Sequence, residues 1–413
     1  MKFERSIAAL VFVMGLFSLV SCVPKPKPQW LMPAPQIYQK GGVNPFGGLA
    51  QKQKGTKLPV YYATNRNPAG KYYGSSVGPR LRFGVADVAI GNEAENWDSL
   101  VTASREATRA TPLPLRLLRF DEFGTHDQET HAPEWLRKVG ETVRQSQSKD
   151  VLVYVHGAKV EFFHSCAFAA EVAHFTGREI TPVAFDWPTH PEIFSYITRI
   201  DINHGIRSAE QLAELVRVLS TESSIRRIHL VSWSAGARVL SRAMVKLGGD
   251  KPHSLRSRYR IGTAVFAASD VPERIFLERL PAIHALSDRV LVYLSDRDSA
   301  LKWSRRLLGG GRRLGIEPIS PTEEELTALR KHPRLEVVDT SYGRIERGFD
   351  ITGHRYWYQH PWVSSDLMVT LRTNADPTKR GLHAAPIQGV WYFAPDYGDR
   401  IGGIARKLTG GKW

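Results

Sequence analysis

Short apolar runs recur along the chain, each closed by polar or turn-forming residues. Residues 60–63, 81–89, 151–155, 181–185, 228–231, 262–267, 290–294 and 335–338 are of this kind. Several are apolar at consecutive positions, which predicts strands covered on both faces, as in a parallel sheet. Between them the apolar positions move to helical spacing. Ser208-Ala209-Glu210-Gln211 has the form of a capping box and predicts a helix opening there, with Leu212, Leu215, Val216 and Leu219 on its inner face. Ala237 through Leu247 predicts another, with Leu240, Ala243, Met244 and Leu247 facing inward and Gly248-Gly249 as its stop. This alternation predicts an α/β fold, a mainly parallel central sheet with helices on both faces. There is no internal repeat or heptad run.

One apolar run differs from the rest. Residues 7–20 follow the charged start Met1-Lys2-Phe3-Glu4-Arg5 and end in Leu19-Val20-Ser21-Cys22. A helix needs about 20 apolar residues to span a bilayer comfortably, so the run fits a signal-peptide core better. Its end resembles the lipobox of bacterial lipoproteins, which implies that 1–21 is a signal and Cys22 the lipidated residue. Val23 after it resembles outer-membrane lipoproteins of two-membraned bacteria, so the expected location is the cell envelope. Pro24-Lys25-Pro26-Lys27-Pro28 reads as a stiff basic spacer, and 22–57 as a tether with little core of its own.

Composition narrows the partners. The chain has 413 residues, 42% hydrophobic and 23% charged, ample for a globular core, and a formal net charge of +15. That charge suits nucleic acid, anionic lipid or cell-wall polymer. No recognition helix, zinc finger or aromatic RNA-binding signature is present, so nucleic acid is not expected. Of the two cysteines, Cys166 lies in apolar, helix-like sequence and reads as a buried inert thiol. HExxH, paired CxxC, a P-loop and a strand-borne GxGxxG are all missing, so neither metal nor soluble cofactor is expected.

The chemistry concentrates at Ser232-Trp233-Ser234-Ala235-Gly236, between the run 228–231 and a helix. A strand that turns at once into a helix strains its apex residue and needs small neighbours two positions away. Ser234 is that apex, a candidate nucleophile, and the Ala235 amide is a candidate oxyanion donor. The run 151–155 ends in His156-Gly157-Ala158, where the amide of Ala158 would be the second donor. His156 at that strand end organises the loop or serves as base, the first being favoured. In this arrangement the acid follows the nucleophile and the base follows the acid. Asp296 and Asp298 follow the run 290–294, and Asp270 follows 262–267. His354 lies in the long loop after 335–338, with His360 as its rival.

"VYYATNR" from Val60, "VLVYVHG" from Val151, "FDWPTH" from Phe185, "IHLVSWSAG" from Ile228, "YLSDRDSALKWSRRL" from Tyr293 and "GHRYWYQHP" from Gly353 occur in this order. Together they resemble a bacterial branch of the α/β-hydrolase superfamily, esterase- or lipase-like proteins catalogued largely as a domain of unknown function. The likeness covers 58–371 and leaves 372–413 as a C-terminal extension. It implies Ser234 as nucleophile, His354 as base, and Asp298 as acid, since the family's aspartate stands just before the Ala-Leu that is Ala300-Leu301 here. Trp233, Ala235 and Ala158-Lys159 depart from the family's usual His, Met and Phe-Asn, which alters the pocket wall but removes no triad atom or backbone donor. The function implied is a serine hydrolase cleaving an ester, with lipid or amide substrates open, through an acyl-enzyme. The alternative is a non-catalytic envelope lipoprotein that binds anionic polymer or a partner protein. Tyr356-Trp357-Tyr358 and Trp362 read as packing aromatics ahead of a substrate wall, and Arg305-Arg306 and Arg312-Arg313 as a solvated charged face ahead of contacts to phospholipid headgroups.

Overall fold

The computed structural model describes residues 28–39, 42–126, 133–250, 254–316, 321–341, 352–410 and 413. The proposed signal and Cys22 lie outside them. Strands β1 (Gln29–Trp30), β2 (Lys57–Ala69), β3 (Tyr72–Ile90), β4 (Pro114–His126), β5 (Asp150–Val155), β6 (Ile180–Asp186), β7 (Arg227–Trp233), β8 (Ile261–Ala267), β9 (Ser287–Leu294), β10 (Leu335–Asp339), β11 (His383–Ala384) and β12 (Val390–Tyr392) form one sheet. Its order is β1-β4-β3-β2-β6-β5-β7-β8-β9-β10-β12-β11. From β2 to β12 in that order all strands are parallel. β3, β4 and β1 extend one edge as antiparallel arms, and β11 closes the other.

Alternate residues of each central strand feed two separate cores. Leu152, Tyr154, Val231, Val265, Leu291 and Tyr293 pack under the helices Phe162–Phe175 and Pro361–Arg372. Val151, Val153, Leu230, Ala264, Phe266 and Val292 pack under Ile200–Thr221, Gly236–Gly248 and Glu273–Leu286. Burial on both faces is why the runs are apolar without alternation. The chain leaves β5 for β6 on one side, while β7 lies on the other. The helices that follow β5 and β7 therefore lie on opposite faces of the sheet, and the space between these connections is the usual ligand position in an open parallel sheet.

Several expectations need correcting. The run 81–89 lies in β3, which is antiparallel because the two-residue turn Gly70-Lys71 folds it straight back on β2. The capping box at Ser208 opens nothing. Its helix starts at Ile200 behind Arg199, whose φ is 67°, and the Ser208 hydroxyl donates back to the His204 carbonyl at 2.8 Å. The inner face of that helix is the expected one, with Leu212, Leu215, Val216 and Leu219 buried. Nor is the stretch from Pro28 to Lys57 a bare tether. Leu31, Met32, Ile37 and Tyr38 are buried, and the Met32 amide donates to Glu171 at 2.6 Å. The extension after 372 likewise belongs to the fold. β12 pairs with β10, the helix Tyr397–Thr409 buries Tyr397, Ile401 and Ala405, and the Trp413 ring meets Tyr38 edge-on. No helix among the described residues is long and apolar enough to cross a membrane.

Candidate active site

β7 ends at Trp233, and the next residue, Ser234, takes φ 53°. A left-handed non-glycine costs roughly 1–3 kcal/mol, so the surroundings must enforce it. They do so through the backbone. The Ser234 amide donates to the Ala267 carbonyl at 3.0 Å, and its carbonyl accepts from Asp270 at 3.1 Å and Ala237 at 3.2 Å. The helix then passes so close to the end of β5 that a Cβ on Gly236 would stand 2.4 Å from the carbonyl oxygens of Val155 and His156. Only glycine fits there. Ser232 replaces the commoner first glycine without leaving a polar orphan, because its buried hydroxyl donates to the Val265 carbonyl at 2.8 Å.

Three side chains meet above this turn. The Ser234 hydroxyl lies 2.8 Å from His354 Nε2, and His354 Nδ1 lies 2.7 Å from Asp298 Oδ2. An ionised carboxylate only accepts, so Nδ1 carries the proton and Nε2 is left to accept from the serine. Asp298 is fully buried, and its other oxygen caps the helix Ser299–Leu308 by accepting from the Leu301 amide at 3.0 Å. The same helix fixes the histidine loop, since the Ser299 amide and hydroxyl both donate to the Thr352 carbonyl at 2.9 and 2.8 Å. Gly353 follows with φ 63°, where a Cβ would lie 2.5 Å from the Arg297 carbonyl. From the Ser234 side, the Trp233 indole donates to the His354 carbonyl at 3.3 Å.

The rival residues have other partners. Asp296 is more than half exposed, its side chain at 56%. Asp270 is buried among Arg238 at 3.0 Å, Arg313 at 2.9 Å, Ser304 at 2.5 Å and the Tyr196 hydroxyl. Burial pushes its carboxyl up, but the two guanidiniums outweigh that and hold it below the usual range. Arg313 is thus sealed in an ion pair rather than solvated, and Arg312 pairs with Glu273 and Glu325. His360 caps the helix Pro361–Arg372 by accepting from the Trp362 amide at 3.2 Å, and burial lowers its pKa to about 4. His156 holds the loop. Its Nδ1 donates to the Gly157 carbonyl at 2.7 Å, Nε2 accepts from the Trp187 amide at 3.1 Å, and burial keeps the ring neutral against the pull of Asp186.

The loop after β5 reaches Ser234 directly. A Cβ on Gly157 would stand 3.2 Å from that of Ser234. Ala158 follows, and Ala235 caps the helix Gly236–Gly248. Neither of their amides donates a hydrogen bond to any described residue.

Arg66, Thr64 and Asp186 brace this loop, and the sequence reading assigned them no role. Arg66 is buried in β2, just past its pairing with β6. It donates to Asp186 at 2.7 Å, to the Val160 carbonyl at 2.7 Å and to the Thr189 carbonyl at 3.1 Å. Thr64 donates to both the Asp186 carbonyl and carboxylate, at 2.6 and 3.0 Å. A polar triplet closing an otherwise apolar run was the available signal. Trp233, Phe168, Trp357 and Tyr358 form an aromatic wall beside His354. Cys166 is buried, and burial pushes its thiol up, away from reactivity.

His190, Asp201 and His204 bring one potential ligand atom each within 4.8 Å of one another. Their spacing matches no familiar metal motif, which is why the sequence did not flag them. Asp201 already accepts from the His190 ring at 2.7 Å.

With this geometry in view, the model of the family described as "Alpha/beta hydrolase of unknown function (DUF900)" matches residues 129–372. No curated protein matches the chain. Among solved structures, a lipase-esterase related protein from Clostridium acetobutylicum ATCC 824 is similar at 10% identity and a TM-score of 0.22, covering 64% of this chain and 95% of that one. A likeness at that TM-score decides nothing about this chain.

Proposed function

The chain belongs to this α/β-hydrolase family of unknown function, and from that premise we propose that it is a serine esterase whose triad is Ser234, His354 and Asp298. The observation that carries the reading is the unbroken relay from Ser234 Oγ through His354 to Asp298, at 2.8 and 2.7 Å. His354 Nε2 takes the hydroxyl proton as Oγ attacks the ester carbonyl, and the Ala158 and Ala235 amides receive the oxyanion. Collapse breaks the bond to the alcohol, which leaves with the proton from His354. Water then attacks the acyl-enzyme, gives its proton to His354, and the carboxylic acid departs as Ser234 regains its hydrogen. Asp298 holds the tautomer and stabilises the imidazolium. Amide cleavage would use the same groups. Acylated Cys22 would place this chemistry at an envelope membrane.

A fluorophosphonate probe tests the assignment. It is expected to add once to the wild type, at Ser234 by peptide mass, and not to Ser234→Ala. That variant should lose at least about three orders of magnitude in kcat on a p-nitrophenyl ester without a change in Tm. Labelling elsewhere, or turnover surviving in Ser234→Ala, rejects the triad.

A further inference from the structure

Two short helices border the triad. Ser299–Leu308 starts from Asp298, and Ile193–Ile197 follows the segment that the Arg66 cluster holds. Their inner faces converge on Asp270. The Tyr196 hydroxyl donates to one of its oxygens, and Ser304 to the other at 2.5 Å. Arg199 then ties the pair together by donating to the Leu308 carbonyl at 3.0 Å. With those faces committed inward, large apolar side chains are left facing water. Ile193 is 47% exposed, Phe194 70%, Trp303 57% and Leu307 53%. A shared patch of this kind marks an interaction site, whereas apolar residues scattered singly do not.

Cations surround it. Lys302, Arg305 and Arg306 are exposed on the same helix as Trp303, which carries no acidic residue, and the Arg306 guanidinium sits 5.4 Å over the Trp303 ring. Among the described residues, the exposed acids flanking these two helices in sequence, Glu192 and Asp296, are fewer than these bases, and the whole chain carries +15. Aromatic and aliphatic tips with flanking Arg and Lys match a bilayer interface, where rings enter the headgroup boundary and cations meet phosphate. The amide of Asp270, the residue that fastens both helices, also bonds the Ser234 carbonyl, so the patch is rigidly indexed to the nucleophile.

We propose that the surface formed by Ile193, Phe194, Trp303 and Leu307 with Lys302, Arg305 and Arg306 docks the protein on an anionic lipid surface and presents the triad to lipid esters there. The substrate part rests on the esterase reading; the docking part does not.

Sedimentation with vesicles tests it, using the full chain with Cys22→Ser so that no acyl anchor contributes. Every variant keeps the same N-terminal segment, so any contribution from it is common to all. Binding is expected to vesicles of phosphatidylcholine with about one-third phosphatidylglycerol, and to weaken with salt. Phe194→Ser with Trp303→Ser should lower partitioning at least about tenfold, because two interfacial rings are lost. Arg305→Ala with Arg306→Ala should lower it about tenfold on anionic vesicles, and much less on pure phosphatidylcholine. Both pairs should keep wild-type turnover of a soluble short-chain ester, and Ser234→Ala should bind vesicles like the wild type. Vesicle binding indifferent to the Phe194/Trp303 pair overturns the proposal. So does a parent chain that ignores anionic vesicles, as a chain docking a protein at this patch would. If binding follows the patch but no ester is ever cleaved, the hydrolase reading fails alone.

Discussion

The ends of β8 and β9 each deliver a fully buried aspartate to the same edge of the sheet. Asp270 follows β8 and Asp298 follows β9, and neither has measurable exposure beyond 1%. Their surroundings differ in one respect. Asp270 is met by two guanidiniums and two hydroxyls that consume both oxygens. On Asp298, one oxygen accepts from the Leu301 amide and caps a helix, and the other faces the His354 imidazole. A carboxylate saturated by fixed cations is an anchor. One with an oxygen turned to an imidazole can follow a proton. Placement at a strand end made both candidates, and the partners separate them.

Neutralising each carboxylate in turn tests this contrast. Asp298→Asn is expected to produce the largest loss, about three to four orders of magnitude in kcat, because an amide no longer enforces the Nδ1–H tautomer. Its Tm should change little, since Asn still accepts from the Leu301 amide. A mild kcat effect would return the acid role to another group. Asp270→Asn should do the reverse. It leaves Arg313 and Arg238 buried without their counterion and should cost about 3 kcal/mol or more in urea unfolding, while the folded fraction keeps turnover within about a few-fold of wild type. A kcat collapse at unchanged stability would merge the two sites into one.

The same pair predicts a difference in acid. The Asp270 carboxyl is held below the ordinary range in the folded chain, so its stabilisation is complete above that range and is lost as pH falls through the lower folded value. Asp270→Asn should therefore flatten the loss of urea stability at the acid end of the curve. A parallel curve would show that Asp270 titrates as it does in the unfolded chain. The smallest effect concerns His190, Asp201 and His204. Treatment with a chelator, like His204→Ala, should leave kcat on a soluble ester unchanged, and a chelator-sensitive rate restored by added zinc would reveal a working cation there.

The parallel core was legible because burial on both faces writes itself into consecutive apolar residues, as in 151–155 and 290–294. Ser234, Asp298 and His354 could be nominated because each sits just beyond such a run, and the structure brings the three within hydrogen-bonding distance. β4 escaped notice because its charges, Arg116, Arg119, Asp121 and Glu122, interrupt the apolar pattern on a strand that needs only one covered face. The segment after Pro28 carries its apolar residues too irregularly for any period, yet Leu31, Met32, Ile37 and Tyr38 each join a core formed by distant chain. Ser208 misled because a local cap pattern says nothing about a helix already under way. The Arg66–Asp186 pair joins residues far apart in the chain, and no local window contains both.

The position of Arg66 also has a consequence for dissecting the protein. The stretch shared with the family starts at residue 129, whereas the guanidinium that neutralises Asp186 and grips the Val160 and Thr189 carbonyls arrives on the hairpin before it. A fragment cut to the shared stretch would retain Ser234, Asp298 and His354 but seal the Asp186 anion without its cation beneath the loop after β5. A fragment that keeps this ion pair therefore begins upstream of the matched segment, at or before the first arm of that hairpin.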